Sequence, residues 1–319
     1  MNLSLCALCV GFLIDLLVGD PHSIPHPVAL IGKLITLLEK GARRVFPKTP
    51  FWETVAGGIV WLTVVLVSSG IPYVVLYGCG IVSPYLRFAA ESVMCWQLLA
   101  TRSLKSESMK VYTALEKNDT EAARKAVSMI VGRDTARLDR DGITRAAVET
   151  VAENTSDGVV APMLFMALFG AVGGFFYKAI NTMDSMLGYV DEPYRNIGRV
   201  PARADDLANL IPARLSAILM LLAGLLLRMD FPGGVRIFLR DRYHHASPNS
   251  AQTESVCAGL LRIRLAGDAW YHGVLHRKPY IGDDLRPVEP EDIKRACALL
   301  YLTAALAMAP VVAAAFLSV

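Results

Sequence analysis

Three polar clusters within residues 149–214 hold the side-chain types that bind metal ions and phosphate. Glu149, Glu153, Asn154, Thr155, Ser156 and Asp157 form the first. Lys178, Asn181, Thr182, Asp184 and Ser185 form the second, and Arg203, Asp205, Asp206, Asn209 and Arg214 the third. Between the first two lie residues 158–177, which carry no charge. Carboxylates and amide oxygens suit a hard cation such as Mg²⁺, which keeps several waters and usually also holds substrate phosphates. Spacing adds to composition. Arg145, Glu149 and Glu153 are four apart and share a face on a helix. Lys178, Asn181, Ser185 and Gly188 follow 3-4-3 spacing with Asp184 beside that stripe, and Arg203, Asp206 and Asn209 are three apart. Taken singly, each cluster reads better as helix caps and surface ion pairs, which contribute little. Their succession beside apolar segments points to a site, because ionisable groups near a bilayer are costly and tend to be functional.

The elements that must position these groups are helical and largely apolar. The chain has 319 residues, of which 54% are hydrophobic and 19% charged. A mean hydropathy of +0.41 is high for a soluble protein of this length. The net charge of +3 is too small to argue for nucleic acid. Six cysteines are scattered, four of them in or next to apolar runs. Cys6 and Cys9 form a CxxC without a second pair, so small buried helix residues are the better reading than zinc or redox chemistry. A reducing compartment or membrane burial is expected, without a disulfide framework.

Residues 3–14 are uncharged, with no Lys or Arg before them and no clear cleavage site, which predicts a short first span rather than a signal peptide. Gly19-Asp20-Pro21 and His26-Pro27 are turn chemistry, and Pro27 opens a helix through Val28–Leu38. Asp15, Asp20, His22 and His26 read equally as turn and caps or as a polar mouth at the end of the first span. Lys33, Lys40, Arg43, Arg44 and Lys48 make the first loop basic and place it on the cytoplasmic face. Residues 54–86 run 33 positions without a charge: one long tilted helix, or two broken near Gly70-Ile71-Pro72. Residues 87–157 predict a polar helical segment outside the bilayer, with Asn118-Asp119-Thr120 as turn and N-cap. Arg133, Asp134 and Thr135 read first as a helix–helix turn and second as a phosphate contact.

Residues 158–177 are long enough to span, but Gly170, Gly173 and Gly174 let the backbone pack tightly or break. A straight helix would send the clusters at its two ends to opposite sides; a re-entrant one would let both line one pocket. Residues 215–227 are a marginal span of 13 positions, and residues 296–319 a good terminal one of 24. Residues 228–295 form the second polar helical segment. In it Ser247 is expected as N-cap with Pro248 at N1, and Glu254 follows one turn after Ser250. His244-His245 and His272/His276 are too irregular for zinc, with no cysteine near. The fold class is therefore all-α: a single polytopic helical membrane domain over 1–319, with extramembrane segments 87–157 and 228–295. GxxxxGK[ST], GxSxG, HExxH and a helix-opening GxGxxG are all absent.

Five stretches together resemble the CobD/CbiB adenosylcobinamide-phosphate synthase family of cobalamin biosynthesis. They are DLLVGDPHSIPHPVALIGKLI, AVETVAENTSDGVVAPM, YKAINTMDSMLGY, RADDLANLIPARL and ASPNSAQTESVCAGLL, in order from residue 15 to about 261. The resemblance implies a multi-pass inner-membrane enzyme. It would join the carboxylate of adenosylcobyric acid to (R)-1-amino-2-propanol phosphate or a related amino-alcohol, consuming ATP with Mg²⁺. The partners implied are the corrinoid, the amino-alcohol phosphate, the lipid bilayer and other late cobalamin enzymes, with a pocket on the cytoplasmic side.

On this reading Glu153, Asp157 and Asp184 are metal candidates, joined by Asp205 and Asp206. Asn154, Asn181 and Asn209 would fix phosphates or corrin amides, and Lys178, Arg203 and Arg214 would neutralise phosphate. His26 or Glu153 would accept the amine proton. Three other readings stand beside it: a non-catalytic relative of the AmpE-like membrane proteins, a secondary transporter, and a scaffold for the late cobalamin enzymes.

Overall fold

The computed structural model describes residues 2–21, 24–189, 191–271 and 273–317. Its contacts gather the chain into two compact units: Met1–Ala100 with Ala161–Asn209 and Pro310–Val319, and Thr101–Val160 with Leu210–Ala309. The expected fold class holds, because the described residues are overwhelmingly helical.

In the first unit, α1 (Leu3–Val18), α2 (Pro27–Val45), α3 (Pro50–Val82), α4 (Pro84–Gln97), α8 (Ala161–Leu187) and α9 (Arg199–Ala208) pack together. Prolines open α2, α3 and α4, where their missing N–H loses no bond. The long charge-free run becomes one 33-residue helix that carries Pro72 inside it. It ends at Ser83, whose hydroxyl caps α4 by accepting from Tyr85 N–H at 3.2 Å. One flank of α3 exposes Ile59, Leu62, Leu66, Ile71, Val74 and Ile81. Such a row of apolar side chains is stable against lipid and costly against water. α1 is short of a full span at 16 residues. It lies so close to α4 that a Cβ on Gly11 would stand 2.6 Å from Cys95 Cβ, the small-residue contact that membrane helices use.

α8 resolves the alternative that its glycines leave open. Gly170 adopts φ 66° and ψ −168°, a conformation open essentially to glycine alone. The Phe165 ring stacks on Tyr177 with centroids 5.1 Å apart, and a Cβ on Gly174 would meet Met166 at 2.5 Å. On a straight helix residues twelve apart are separated by about 18 Å. The chain therefore reverses at Gly170 into a helical hairpin of residues 161–169 and 171–187. By length and apolar character alone Arg140–Leu187 qualifies as one span; the reversal folds its apolar part back on itself. Extrapolating the pairing puts the start of the first arm level with the Lys178–Asn181 polar cluster of the second.

Buried Glu91 of α4 holds the hairpin tip. Its carboxylate accepts the Ala171 N–H at 3.3 Å and the Ser4 hydroxyl at 3.1 Å. The Arg87 Nε lies 4.0 Å away. It thereby satisfies a first-turn amide of the second arm, which would otherwise lack a partner at membrane depth.

The second unit contains α5 (Thr101–Glu116), α6 (Thr120–Ser128), α7 (Arg140–Thr155) with a π-helical turn (Ser156–Val160), α10 (Leu210–Leu226), α11 (Phe231–Asp241), α12 (Ser250–Leu261) and most of α13 (Glu291–Leu317). Asp119 caps α6 as expected, accepting from Ala122 N–H at 2.9 Å. α12 begins two residues later than its sequence suggests. The Ser247 hydroxyl accepts the Asn249 N–H at 3.3 Å and closes a turn there, so Pro248 precedes the helix instead of opening it. Ala251–Leu261 are buried on every side, which makes α12 the central helix of the unit.

The segment 228–295 is not purely helical. β1 (Leu265–Ala266) pairs with β4 (Tyr280–Ile281), and β2 (Ala269–Tyr271) with β3 (Val274–His276), both antiparallel. Gly273, at φ 79°, stands in the tight connection of the second pair. Ladders of two and three residues are too short to print a period-2 pattern on a sequence. Of the cysteines, Cys95, Cys257 and Cys297 are buried, and none of the six is paired.

Candidate active site

In the second unit, α7 and α12 enclose a cavity of about 120 Å³. Helical spacing supplies one wall: Glu149 and Glu153, with Thr150 and Asn154, are successive pairs one turn apart on α7. α12 contributes Glu254. The remaining groups come from connections: Arg133 from the turn before α7, His245 from the loop after α11, and Tyr271 and Lys278 from the strand segment.

Arg133 and Glu149 form a salt bridge with side chains only 15% and 9% exposed. Glu149 also accepts the Ala266 N–H at 2.7 Å. Burial weighs against the charge on Arg133, but the Glu149 carboxylate outweighs it and holds the guanidinium above its ordinary range. Lys278 donates to the Tyr271 hydroxyl at 2.8 Å and lies over that ring. His245 Nδ1 accepts the Ser247 N–H at 3.1 Å. That bond places the ring proton on Nε2, so His245 presents a donor to the cavity in either charge state. Burial pushes the imidazole pKa down, with Glu153 pulling the other way.

Glu254 is 6% exposed and makes no hydrogen bond or ion pair with the described residues. Burial raises its pKa well above 4.5, and the charges of Glu153 and Glu149 raise it further against Arg133 and Lys278. A folded-state pKa above the unfolded value contributes stability at low pH that is lost as pH rises through the folded value. Glu254→Gln is therefore expected to raise the thermal midpoint over the wild type. The difference should be absent below about pH 4.5 and widen as pH rises. Glu149, Glu153, His245, Arg133 and Lys278 are common to both proteins. Scanning calorimetry across pH checks this; a difference independent of pH would contradict it.

The first unit holds a second set. Asp205, 6% exposed, accepts from Asn209 Nδ2 at 3.0 Å and from Asn181 Nδ2 at 3.4 Å. Asn209 Oδ1 accepts the buried Tyr177 hydroxyl at 2.9 Å. In this arrangement Asp205 and Asn209 tie α9 to the second arm of α8. A separate cleft of about 530 Å³ is lined by Asp20, His26, Lys178 and Thr182, with apolar walls from Val28, Leu98 and Met186. His26 is the N-cap of α2, its Nδ1 accepting from Val28 N–H at 3.3 Å, and its Nε2 lies 3.6 Å from Asp20. Asp184 and Asp206 are half-buried and Arg203 is exposed.

The predicted residues thus fall into both units. Glu153, Asn154, Asp157 and Arg214 belong to the second, and His26, Lys178, Asn181, Asp184, Arg203, Asp205, Asp206 and Asn209 to the first. Arg214 donates to Asn249 Oδ1 at 3.0 Å, which joins α10 to the turn before α12. Among the described residues no three of His, Cys, Asp or Glu gather as a metal-holding group. His244 lies 3.6 Å from Asp241, and the ring of His276 stands edge-on to Tyr271. His22 and His272 lie outside the described residues.

Long apolar helices of spanning length define a polytopic helical membrane protein, and its second unit carries a buried constellation of glutamates, arginine, lysine and histidine. A family model described as "CobD/Cbib protein" matches residues 8–300. The chain belongs to the CobD/CbiB family. It is 46% identical over 299 residues to the "Cobalamin biosynthesis protein CobD" of Streptococcus sanguinis, covering 94% of this chain and 93% of that one. It is 43% identical over 312 residues to the "Cobalamin biosynthesis protein CbiB" of Salmonella typhimurium, covering 98% of each. The Geobacter metallireducens "Cobalamin biosynthesis protein CobD" is 46% identical over 289 residues, 91% of this chain and 90% of its own. No solved structure matches the chain.

Proposed function

We propose that this protein is an enzyme of cobalamin biosynthesis that ligates the free carboxylate of adenosylcobyric acid to (R)-1-amino-2-propanol phosphate, or a related amino-alcohol phosphate, at the expense of ATP. The product is adenosylcobinamide phosphate. The observation that carries this reading is the meeting of two family stretches at one cavity. Glu153 and Asn154 of AVETVAENTSDG and Glu254 of ASPNSAQTES are about a hundred residues apart in sequence and line the same buried space.

A carboxylate does not react with an amine until it is activated. Phosphoryl transfer from ATP to the carboxylate oxygen gives an acyl phosphate and ADP. Attack by the amine nitrogen then forms the C–N bond, breaks the C–O bond and releases phosphate. Both steps need charge neutralisation, placement and a proton acceptor. In this reading Glu153 accepts the amine proton, and Arg133 and Lys278 oppose negative charge in the cavity. The larger cleft that holds His26 and Lys178 is mostly apolar, the character of a site for a bulky organic substrate.

Mg²⁺ accompanies the nucleotide in this reading. The chain offers no all-protein cage among its described residues, which fits an ion bound through one or two carboxylates and substrate phosphates. Asp157 in the second unit, and Asp184 and Asp206 in the first, are the acidic candidates, each taken within its own unit, and the ion would spread the charge of the transferring phosphoryl group. The location that goes with this chemistry is the inner membrane, with the pocket on the cytoplasmic face where ATP is found.

The test is a product assay on detergent-purified protein with adenosylcobyric acid, aminopropanol phosphate, ATP and Mg²⁺, read by mass spectrometry. Amide that requires both ATP and Mg²⁺ is expected. Folded, corrinoid-binding protein that makes no amide with any amino-alcohol phosphate would overturn the ligase. Asp157→Asn and Asp184→Asn should each lower turnover about 100-fold or more with membrane insertion unchanged. Full activity in both would remove them from the ion's shell.

A further inference from the structure

The cavity between α7 and α12 has a charge imbalance. Glu149 is matched by Arg133. Among the described lining residues Lys278 is the other side-chain cation, beside two further acidic side chains, Glu153 and Glu254. Glu254 is more than nine-tenths buried, has no hydrogen-bond partner among the described residues and borders the cavity. An ionisable group left so in a protein interior is costly unless something arrives to match it. At about 120 Å³ the cavity suits one small polar group better than a whole nucleotide or tetrapyrrole, and the absence of a metal-holding trio among the described residues disfavours a bare metal ion.

We infer that this cavity receives the primary ammonium end of the amine-bearing substrate, with Glu254 as its counter-ion and Glu153 beside it. The inference rests on the amide-forming reading and names which reactant enters this space. A primary ammonium brings three donors and one positive charge, which matches the third carboxylate and satisfies its lone pairs. The proton must leave before the nitrogen can attack. His245 cannot take it at Nε2, because the Ser247 N–H on Nδ1 fixes a hydrogen there. The proton passes to a carboxylate: the ammonium becomes the amine as –COO⁻ becomes –COOH. The lone pair then attacks the acyl phosphate carbon, the C–O bond breaks, and the second proton leaves with the phosphate as HPO₄²⁻. The cavity's size also sets selectivity, admitting an unsubstituted –NH₃⁺ on a short chain and excluding N-trimethylated amines.

Equilibrium binding to the full chain in detergent tests this with three probes: 1-amino-2-propanol phosphate, its amine-free analogue isopropyl phosphate, and choline phosphate. The wild type should bind the primary amine at least about tenfold more tightly than either analogue. Glu254→Gln should weaken the aminopropanol phosphate about 10- to 100-fold and leave isopropyl phosphate unchanged. Gln has the same shape and no charge, so its thermal midpoint verifies folding in the same samples. Equal binding of choline phosphate, or equal losses for both phosphates in Glu254→Gln, would overturn the assignment. Wild-type product formation with an unchanged aminopropanol phosphate KM in Glu254→Gln would sink the amine site and leave the ligase standing. Amine-selective, Glu254-dependent binding without product from any corrinoid would do the reverse.

Discussion

Arg133→Met is expected to destabilise the protein by about 3–5 kcal/mol, because it strands a buried carboxylate. The Arg133 and Glu149 side chains are 15% and 9% exposed, so water replaces the lost guanidinium only in part. Among the described residues Glu149 would keep the Ala266 N–H alone. The pair as a whole contributes much less than this, since the desolvation of both charges offsets most of their attraction. Arg133→Met/Glu149→Met should therefore recover most of the stability that the single change loses. A double-mutant cycle on unfolding midpoints measures the coupling. A loss below about 1 kcal/mol in the single variant would mean that Glu149 finds another partner or a proton. Activity separates the two roles of Arg133. A stable double variant without turnover places the guanidinium on substrate phosphate; a stable and active one confines it to the fold.

What the sequence makes legible follows from periodicity. Glu149 and Glu153 are one turn apart on α7, and that spacing survives folding as one wall of the cavity. Pro27, Pro50 and Pro84 mark helix starts for a local reason, since proline gives up no bond there. Arg133, His245, Tyr271 and Lys278 were not legible as one site, because they reach it from turns and short strands that have no period. Arg133 reads in sequence as part of a helix–helix turn. The turn does close: Asp134 N–H donates to Trp270 O at 2.8 Å, and Asp134 accepts the Gly273 N–H at 2.7 Å. That closure carries the Arg133 side chain to Glu149. The clue was the resemblance of ASPNSAQTES, which flagged Glu254's helix but not its missing partner. Burial on all sides, with Gln252 bonded to the Arg242 and Pro248 carbonyls, is a tertiary property. The same holds for Asp205, one of the metal candidates by sequence. Only folding shows both of its oxygens accepting from Asn181 and Asn209.

Gly170→Ala is expected to destabilise the first unit strongly. Two independent effects add. A residue other than glycine at φ 66° and ψ −168° costs about 1–3 kcal/mol in backbone strain alone. The new Cβ would also stand 2.6 Å from Glu91 Oε1, so the carboxylate must move. Moving it breaks its bond to the Ala171 N–H and leaves that buried amide unsatisfied, a further loss of about 1–3 kcal/mol. Glu91→Gln removes only the second effect in part, because the amide oxygen can still accept that N–H. The expected order of stability in detergent unfolding is wild type, Glu91→Gln, Gly170→Ala. Turnover should follow the same order, since the hairpin holds Lys178 and Asn181 level with its first arm. Gly170→Ala matching the wild type in both readouts would mean that the chain does not reverse at this residue. The apolar segment would then cross the bilayer as the straight helix that its composition alone permits.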